Sequence, residues 1–425
     1  KVLIFMVQVI KKGLETSVQD YPGRIGTLNL GFPPSGPMDS WSFRLANVLV
    51  DNEPGTAALE CQFMGPTLKF NDDRVIAITG ADMSPKIDGT PVPLWESLEV
   101  KKDQILEIAF ATVGARSYIA FSGGINTTPW LGSRSTFHKA GVGGIDGKAI
   151  QDGQIIPLNK SKSVKGRKIK KSSIPVMPTN KKWLVEVVKG PNDDWVDEKG
   201  HKMFLNSDWK LQSKSDRTGY RLDGPNWTFT EKATHKGLEH GTFPSNIIDQ
   251  GYPVGAINLA GQTPIILVND GPSMGGFIVP YTVPSASFWK LGQAKPGDSF
   301  NFVEISVEKA QTLRTEQTMI CSEASLVSSD KKENAQTELT NTVILIETEY
   351  GKLLPFWKQM AAARRAAIGT GKKIETEEEF TLEEGLQQYM KLQSSMTDFL
   401  GGEYDRQLTI EQNKTNALNN ELNQR

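Results

Sequence analysis

The chain has 425 residues, 48 Lys plus Arg against 49 Asp plus Glu, a net charge of −1, and 38% hydrophobic residues. That length allows two or three domains of roughly 100–200 residues and a core that needs no disulfide staples. The balanced charge offers no global field for nucleic acid or anionic lipid, and Cys61 and Cys321 form no metal or redox motif, which points to a reducing compartment, the cytoplasm.

The apolar run at residues 2–10 is too short to span a bilayer and lacks the small residues of a cleavage site, so it reads as a first strand. The chain begins at Lys1 rather than Met, as a piece of something longer would. Residues 1–159 then carry short β-type runs at 75–79, 105–109 and 118–121, separated by turn signals such as Asp88-Gly89. One helix is predicted over residues 40–49, with Asp39 as its N-cap and Phe43, Ala46, Asn47 and Val50 at helical spacing. Residues 160–180 open with the basic run KSKSVKGRKIKKSS and read as a solvated linker or loop, since no aromatics interleave with the lysines to stack on bases.

Residues 181–305 return to β character, with runs at 183–188, 256–259, 265–268, 276–279 and 300–304. Residues 306–350 read as a linker, and 351–425 as a helical tail that frays at its Asn- and Gln-rich end. The two β stretches share a pattern. VIAITGADM followed by PLWESLEVKKDQILEI matches PIILVNDGPSMGG followed by SFWKLGQAKPGDSFNFVEI, aligning Trp95 with Trp289, Lys101 with Lys295 and Asp103 with Asp298. The expectation is therefore a mainly β protein built from two similar units.

Four segments carry candidate chemistry. QDYPGR (19–24) with GFPPSGPMD (31–39) packs three prolines and two glycines into its last nine residues, a stiff backbone able to present Gln19, Asp20, Arg24, Ser35 and Asp39. FPSNIID (243–249) with NDGPSMGGF (269–277) offers Gly275 and Gly276 as bare N–H donors to an oxyanion. The same pair of segments offers Asn246, Asp249 and Asp270 to orient or deprotonate a polar substrate. LGSRSTF (131–137) offers Arg134 as a carboxylate clamp, whereas a Ser135–His138 nucleophile pair lacks the expected elbow pattern. KSDRTGYRLDGP (214–225) holds Arg217 and Arg221 at an even spacing, on one face of a strand. In each segment a purely structural role competes with the functional one, and the four histidines have no metal-ligand spacing.

QDYPGR, PPSGPMD with FRLAN, EC-x-x-x-GPTLKF, TGADM, VPLW, LGSRSTF, RTGYRLDGP, PSN-I-x-D and DGPSMGGF run in one order over residues 8–305. Together they resemble the first half of the carboxyltransferase region of urea carboxylase. That region belongs to the allophanate-hydrolase-subunit-2 group, which also includes KipA and the C-type subunit of bacterial 5-oxoprolinase. The resemblance implies tandem cyclophilin-like β-barrels and the second half-reaction of a biotin-dependent enzyme. In that reaction carboxybiotin on a separate carrier delivers CO2 to the nitrogen of urea or a similar compound. It implies Gly275 and Gly276 at an oxyanion, Asp270 or Asp249 accepting a proton, and Arg24, Arg217 or Lys290 holding a carboxylate, with Asn246 in the same site. It also implies partners: a chain of the allophanate-hydrolase-subunit-1 or KipI type, a biotin carboxylase that uses ATP, and a biotin carrier protein. The alternatives are a 5-oxoprolinase-type component of an ATP-dependent amide hydrolase and a KipA-like regulatory protein without catalysis.

Overall fold

The computed structural model describes residues 5–162 and 166–327. In the first half a six-stranded sheet orders Ile155–Pro157, Met6–Lys11, Thr67–Phe70, Ile105–Glu107, Lys86–Ile87 and Thr90–Pro91. A five-stranded sheet orders Glu15–Gln19, Ala58–Gln62, Val113–Phe121, Arg74–Asp82 and Ser97–Val100. The tight hairpin Lys86–Pro91 turns at Asp88 and Gly89, both at positive φ (48° and 79°). That is the geometry a two-residue hairpin needs to match strand twist, and the reason this dipeptide marks it in the sequence.

The side chains that alternate inward from the two sheets, among them Val7, Val9, Leu59, Leu68, Phe70, Ile76, Ile78, Ile119 and Phe121, form the first core. The outer face of the five-stranded sheet is apolar too and takes the helix Ser40–Leu49. Asp39 caps that helix by accepting from Ser42 N, a contact worth about 1 kcal/mol. Its predicted stripe, Phe43, Ala46, Asn47 and Val50, is fully buried. Burying Phe43 alone stabilises by about 2 kcal/mol.

The second half closes into a seven-stranded barrel ordered Lys182–Lys189, Tyr281–Thr282, Ala256–Ala260, Thr263–Leu267, Gly219–Asp223, Trp209–Leu211 and Ser299–Glu304. The seam between Lys182–Lys189 and Ser299–Glu304 is parallel, so first and last strands of the unit seal it. Its core is aromatic: Phe204 stacks on Tyr281 and Phe302 at 4.6 and 4.5 Å and lies 5.7 Å from Trp209. The ribbon Asn246–Gly251 with Met274–Phe277 pairs only with itself among the described residues.

Three expectations change. The basic segment is not a free linker where it is described. Arg167 donates to the C-terminal carbonyl of Val48 and to Asp51, and Ile169 is buried against the first half, bridged to Leu326. Residues 306–350 contain the helix Val307–Ile320, capped by Ser306, and Cys321 behind it is buried under the helix Ser40–Leu49. The aligned tryptophans sit in different structures: Trp95 lies in a loop at φ +64°, whereas Trp289 lies in the helix Phe288–Gln293. The tail at 351–425 lies outside the described residues.

Candidate functional site

Residues 19–39 fold back on themselves. Arg24 N donates to Pro34 O, and Gly23, at φ +85°, lets the two arms touch: a Cβ there would fall 2.3 Å from Pro34 O. Gln19 accepts from Gly36 N at 3.1 Å and donates to Ser17 Oγ at 3.0 Å. Ser35 is buried at φ +56°, a left-handed conformation that costs a non-glycine residue energy and persists only where its surroundings hold it. Arg24 Nη1 donates to Ser35 Oγ at 3.1 Å, Nη2 to Ser135 O, and its guanidinium lies 5.3 Å from the Trp130 ring. Burial lowers the Arg24 pKa, nearby Asp20 working against the fall. Asp20 is itself taken by Ser133 and Ser135 hydroxyls and by Arg134 N.

The second half grips this loop from the other side. Asn269 Nδ2 donates to three successive carbonyls, Ser35 (3.1 Å), Gly36 (3.3 Å) and Pro37 (3.0 Å), while Ser35 N donates to Asn269 O. Arg217 Nη2 donates to Gly36 O at 2.8 Å, Nε to Asp270 at 2.9 Å and Nη1 to Glu60 at 2.6 Å. Burial works against the Arg217 charge, but Asp270 and Glu60 outweigh it and raise its pKa. The other oxygen of Glu60 accepts from Met38 N and Tyr118 Oη, and Tyr118 Oη accepts from Asp39 N. Burial, with Glu60 beside it, pushes the Tyr118 phenol well up.

Gln293 completes the contact. Its side-chain oxygen accepts from Ala115 N and Arg116 N, and its nitrogen donates to Asp39 and Arg116 O. Burial raises the Asp39 pKa, and its hydrogen bonds from Ser42 and Gln293 pull the other way. Arg116, fully buried, donates to Tyr220 Oη, Gly292 O and Gln62. The motifs singled out in the first and second halves thus meet in one polar seam.

The ribbon stands beside Asn269–Asp270 in sequence and carries the remaining candidates. Asn246 pairs with Phe277 and Gln250 with Gly275. Gly275 and Gly276 are extended rather than left-handed, so they do not form the concave turn expected of an oxyanion nest. Gly275 is bare because the Tyr252 ring lies against it: a Cβ would come within 2.7 Å. Tyr252 Oη accepts from Phe277 N and donates to Phe277 O. Asp249 is exposed on the ribbon next to exposed Ile248, and exposed Met274 lies on the other strand opposite Gly251.

Other candidates are engaged elsewhere. Lys290 donates to both oxygens of Glu186 (2.8 and 2.7 Å) and to Leu184 O, against the strand Lys182–Lys189 rather than the ribbon. Arg134 Nε donates to Thr127 O and its backbone holds Asp20, so it latches its loop. Arg217 precedes the strand Gly219–Asp223 and points inward, while Arg221 within it is exposed; the two do not share a face. Ser135 Oγ bonds Asp20 and not His138. Of the four cations expected to hold a carboxylate, Arg24, Arg217 and Lys290 have their head groups engaged, and Arg134 is tied through its Nε. Glu60, Arg116, Tyr118, Asn269 and Gln293 carry the seam without having been singled out. The available signal was Glu60 within the apolar run of the strand Ala58–Gln62.

Residues 30–304 match the family model described as carboxyltransferase domain, subdomains A and B. The chain belongs to the carboxyltransferase family. The carboxyltransferase domain is 41% identical over 318 residues to the urea amidolyase of Saccharomyces cerevisiae, covering 73% of this chain and 17% of that one. It is 33% identical to the C-type subunit of Escherichia coli 5-oxoprolinase, over 73% of this chain and 95% of that protein. The Kluyveromyces lactis urea carboxylase structure superposes with a TM-score of 0.71 at 39% identity, covering 76% of this chain and 30% of that one. The carboxyltransferase domain is thus homologous to that of urea carboxylase, and the chain spans under a third of the length of these fungal enzymes. Among the described residues, no helix is long and apolar enough to cross a membrane.

Proposed function

We propose that this chain supplies part of a carboxyltransferase site that moves CO2 from carboxybiotin to the nitrogen of urea or a urea-like compound. The observation that carries the reading is the grip of Asn269 and Arg217 on the 35–37 backbone, which brings the family's two motif sets together beside the ribbon. Carboxybiotin would supply the carboxyl group from a carrier on another chain. The ribbon suits a flat ring with a polar edge: exposed Ile248 and Met274 give apolar contact, and Asn246 gives an amide. The space over Gly275 is taken by the Tyr252 ring and that over Gly276 by the Ile247 carbonyl, so the two glycines let the ribbon pack closely and would act on a ligand only through their backbone.

Among the carboxylates considered, Asp249 is the proton acceptor we favour. It is exposed, whereas Asp270 is buried and its carboxylate is bound by Arg217. Gln19, Arg24, Ser35, Arg217 and Asp270 would shape and fix the wall. Since Arg24, Arg217 and Lys290 are engaged and Arg134 latches its own loop, the cation that holds the carboxylate would come from a partner chain of the allophanate-hydrolase-subunit-1 or KipI type. A biotin carboxylase would consume ATP on its own chain. The buried, unpaired thiols suit a cytoplasmic setting.

The test is reconstitution with biotin carboxylase, biotin carrier, a subunit-1-type partner, ATP and labelled bicarbonate. Urea-dependent transfer of label, lost in Asp249→Asn, is the expected result. A second reading has its own support, because the C-type subunit of 5-oxoprolinase matches over nearly its whole length. Hydrolysis of ATP driven by 5-oxoproline, with no label reaching urea, would replace the first reading by this one.

A further inference from the structure

The loop leading into the ribbon contains a cation that the reading above leaves unused. Lys236 Nζ donates to the carbonyls of Phe243, Pro244 (3.2 Å) and Asn246. An ammonium has three N–H donors, and here all three meet carbonyls of one four-residue turn. No carboxylate forms an ion pair with it among the described residues. The ammonium also lies over the Trp195 ring, 5.4 Å from its centroid, a cation–π distance.

The same turn is fixed by its other groups. Ser245 is fully buried; its Oγ accepts from Gly261 N and its carbonyl from Ile278 N. Asn246 N returns to Phe243 O. Gly241, at φ +81°, lets the Lys236 loop pass the Asn246 side chain, since a Cβ there would sit 2.9 Å from its Nδ2. This turn therefore sets the start of the strand Asn246–Gly251, whose far end is held separately by Gln250 on Asn192 and by Tyr252 N on Ser273 O; among the described residues that strand is the ladder partner of Met274–Phe277.

We infer that Lys236 is a positioning residue: its ammonium binds the Phe243–Asn246 turn and thereby fixes the ribbon that carries Asn246, Asp249, Gly275 and Gly276. The functional half of this inference rests on the carboxyl-transfer reading; the structural half does not. Turns whose carbonyls converge on a cation need that charge, because a neutral side chain of equal length leaves them facing one another without a donor.

The experiment compares the wild-type chain with Lys236→Met and Lys236→Arg by amide hydrogen exchange and in the reconstituted transfer assay. In Lys236→Met, exchange across residues 246–251 and 274–277 rises about tenfold or more, while the barrel strands at 256–260 and 263–267 stay within about twofold. The transfer kcat falls about tenfold with KM for the acceptor little changed, and Lys236→Arg restores most of both. Unchanged ribbon exchange in Lys236→Met overturns the inference. So does faster exchange throughout the barrel, which would make Lys236 a general stability residue, with Lys236→Gln measured in parallel as the milder change. Faster ribbon exchange with unchanged kcat overturns its functional half. Failure of the wild-type protein to transfer label bears on the parent reading instead and leaves the exchange comparison standing.

Discussion

Arg217 and Glu60 are 157 residues apart in sequence and meet at 2.6 Å, one from each half of the molecule, with both side chains almost wholly buried. The pair is not isolated: Arg217 also holds Asp270 and the Gly36 carbonyl, and Glu60 also receives Met38 N and Tyr118 Oη. Replacing one member strands the others in a low-dielectric interior. Arg217→Met is expected to cost about 3–5 kcal/mol in urea denaturation. Arg217→Lys should recover only part, since an ammonium cannot reproduce the forked geometry toward two carboxylates.

Gln293 uses both donors and both acceptor positions of its amide across the same seam. Gln293→Ala removes a donor from Asp39 and an acceptor from two backbone amides, leaving buried groups without partners. The expected loss is about 2–3 kcal/mol. Thermal denaturation followed separately by the tryptophans of the second half and by a probe on the first should show the two transitions moving apart.

Gly292 marks where the helix Phe288–Gln293 touches the entry to the helix Ser40–Leu49. A Cβ there would lie 2.7 Å from Asp39 N and from Met38 C and O, all backbone atoms that cannot swing aside. Gly292→Ala should therefore destabilise by about 1–3 kcal/mol despite its small size. A neighbouring change, Pro296→Ala on the exposed turn, should have little effect in the same denaturation series.

Glu186 and Lys290 form a mostly buried pair. Burial alone would raise the Glu186 pKa, but Lys290 and Ser287 outweigh it and the net shift is downward. A carboxylate with a lowered folded-state pKa contributes stability above its ordinary value of 4.5, and that contribution is lost as pH falls through the lower folded-state value. Glu186→Gln should cost about 1 kcal/mol near neutral pH. The gap from wild type should close as denaturation is repeated in increasingly acidic buffer; a gap that stays constant would contradict the pairing.

Cys61 and Cys321 are both buried, and burial pushes each thiol up to about 12. Neither supplies thiolate near pH 8. Iodoacetamide should leave both unmodified in the folded protein within the time that it fully labels the protein in urea, as read by intact mass.

Local structure was legible in the sequence where one periodicity ruled. The Ser40–Leu49 helix stands where its apolar spacing and the Asp39 cap place it, because the same stripe that makes it amphipathic buries it. The β runs stand where their apolar stretches lie, most with ends moved by a residue or two, though Val113–Phe121 starts five residues before its apolar run and Arg74–Asp82 ends three after. Partners distant in sequence were not legible. Gly275-Gly276 fits a turn or a strand equally well, and only Tyr252 packing on the ribbon decides for the strand. Lys290 and Arg217 look like available cations until the fold brings Glu186 and Glu60 to them. Asn269, an uncharged residue in a loop, gives no sequence sign that it will bind three carbonyls from the other half.

Ile169 bridges Leu326, Lys170 N donates to Ser325 O, and Val327 N donates to Lys168 O. The path into the second half and the path out of it therefore run side by side along the first. In topological terms the barrel is an insertion between two adjacent points of one strap. Everything from Trp183 to Phe302 could be excised and its ends rejoined by a short bridge. The first half would then keep its sheets and its helix while baring Glu60, Arg116 and Asp39, each of which takes part of its hydrogen bonding from the inserted barrel.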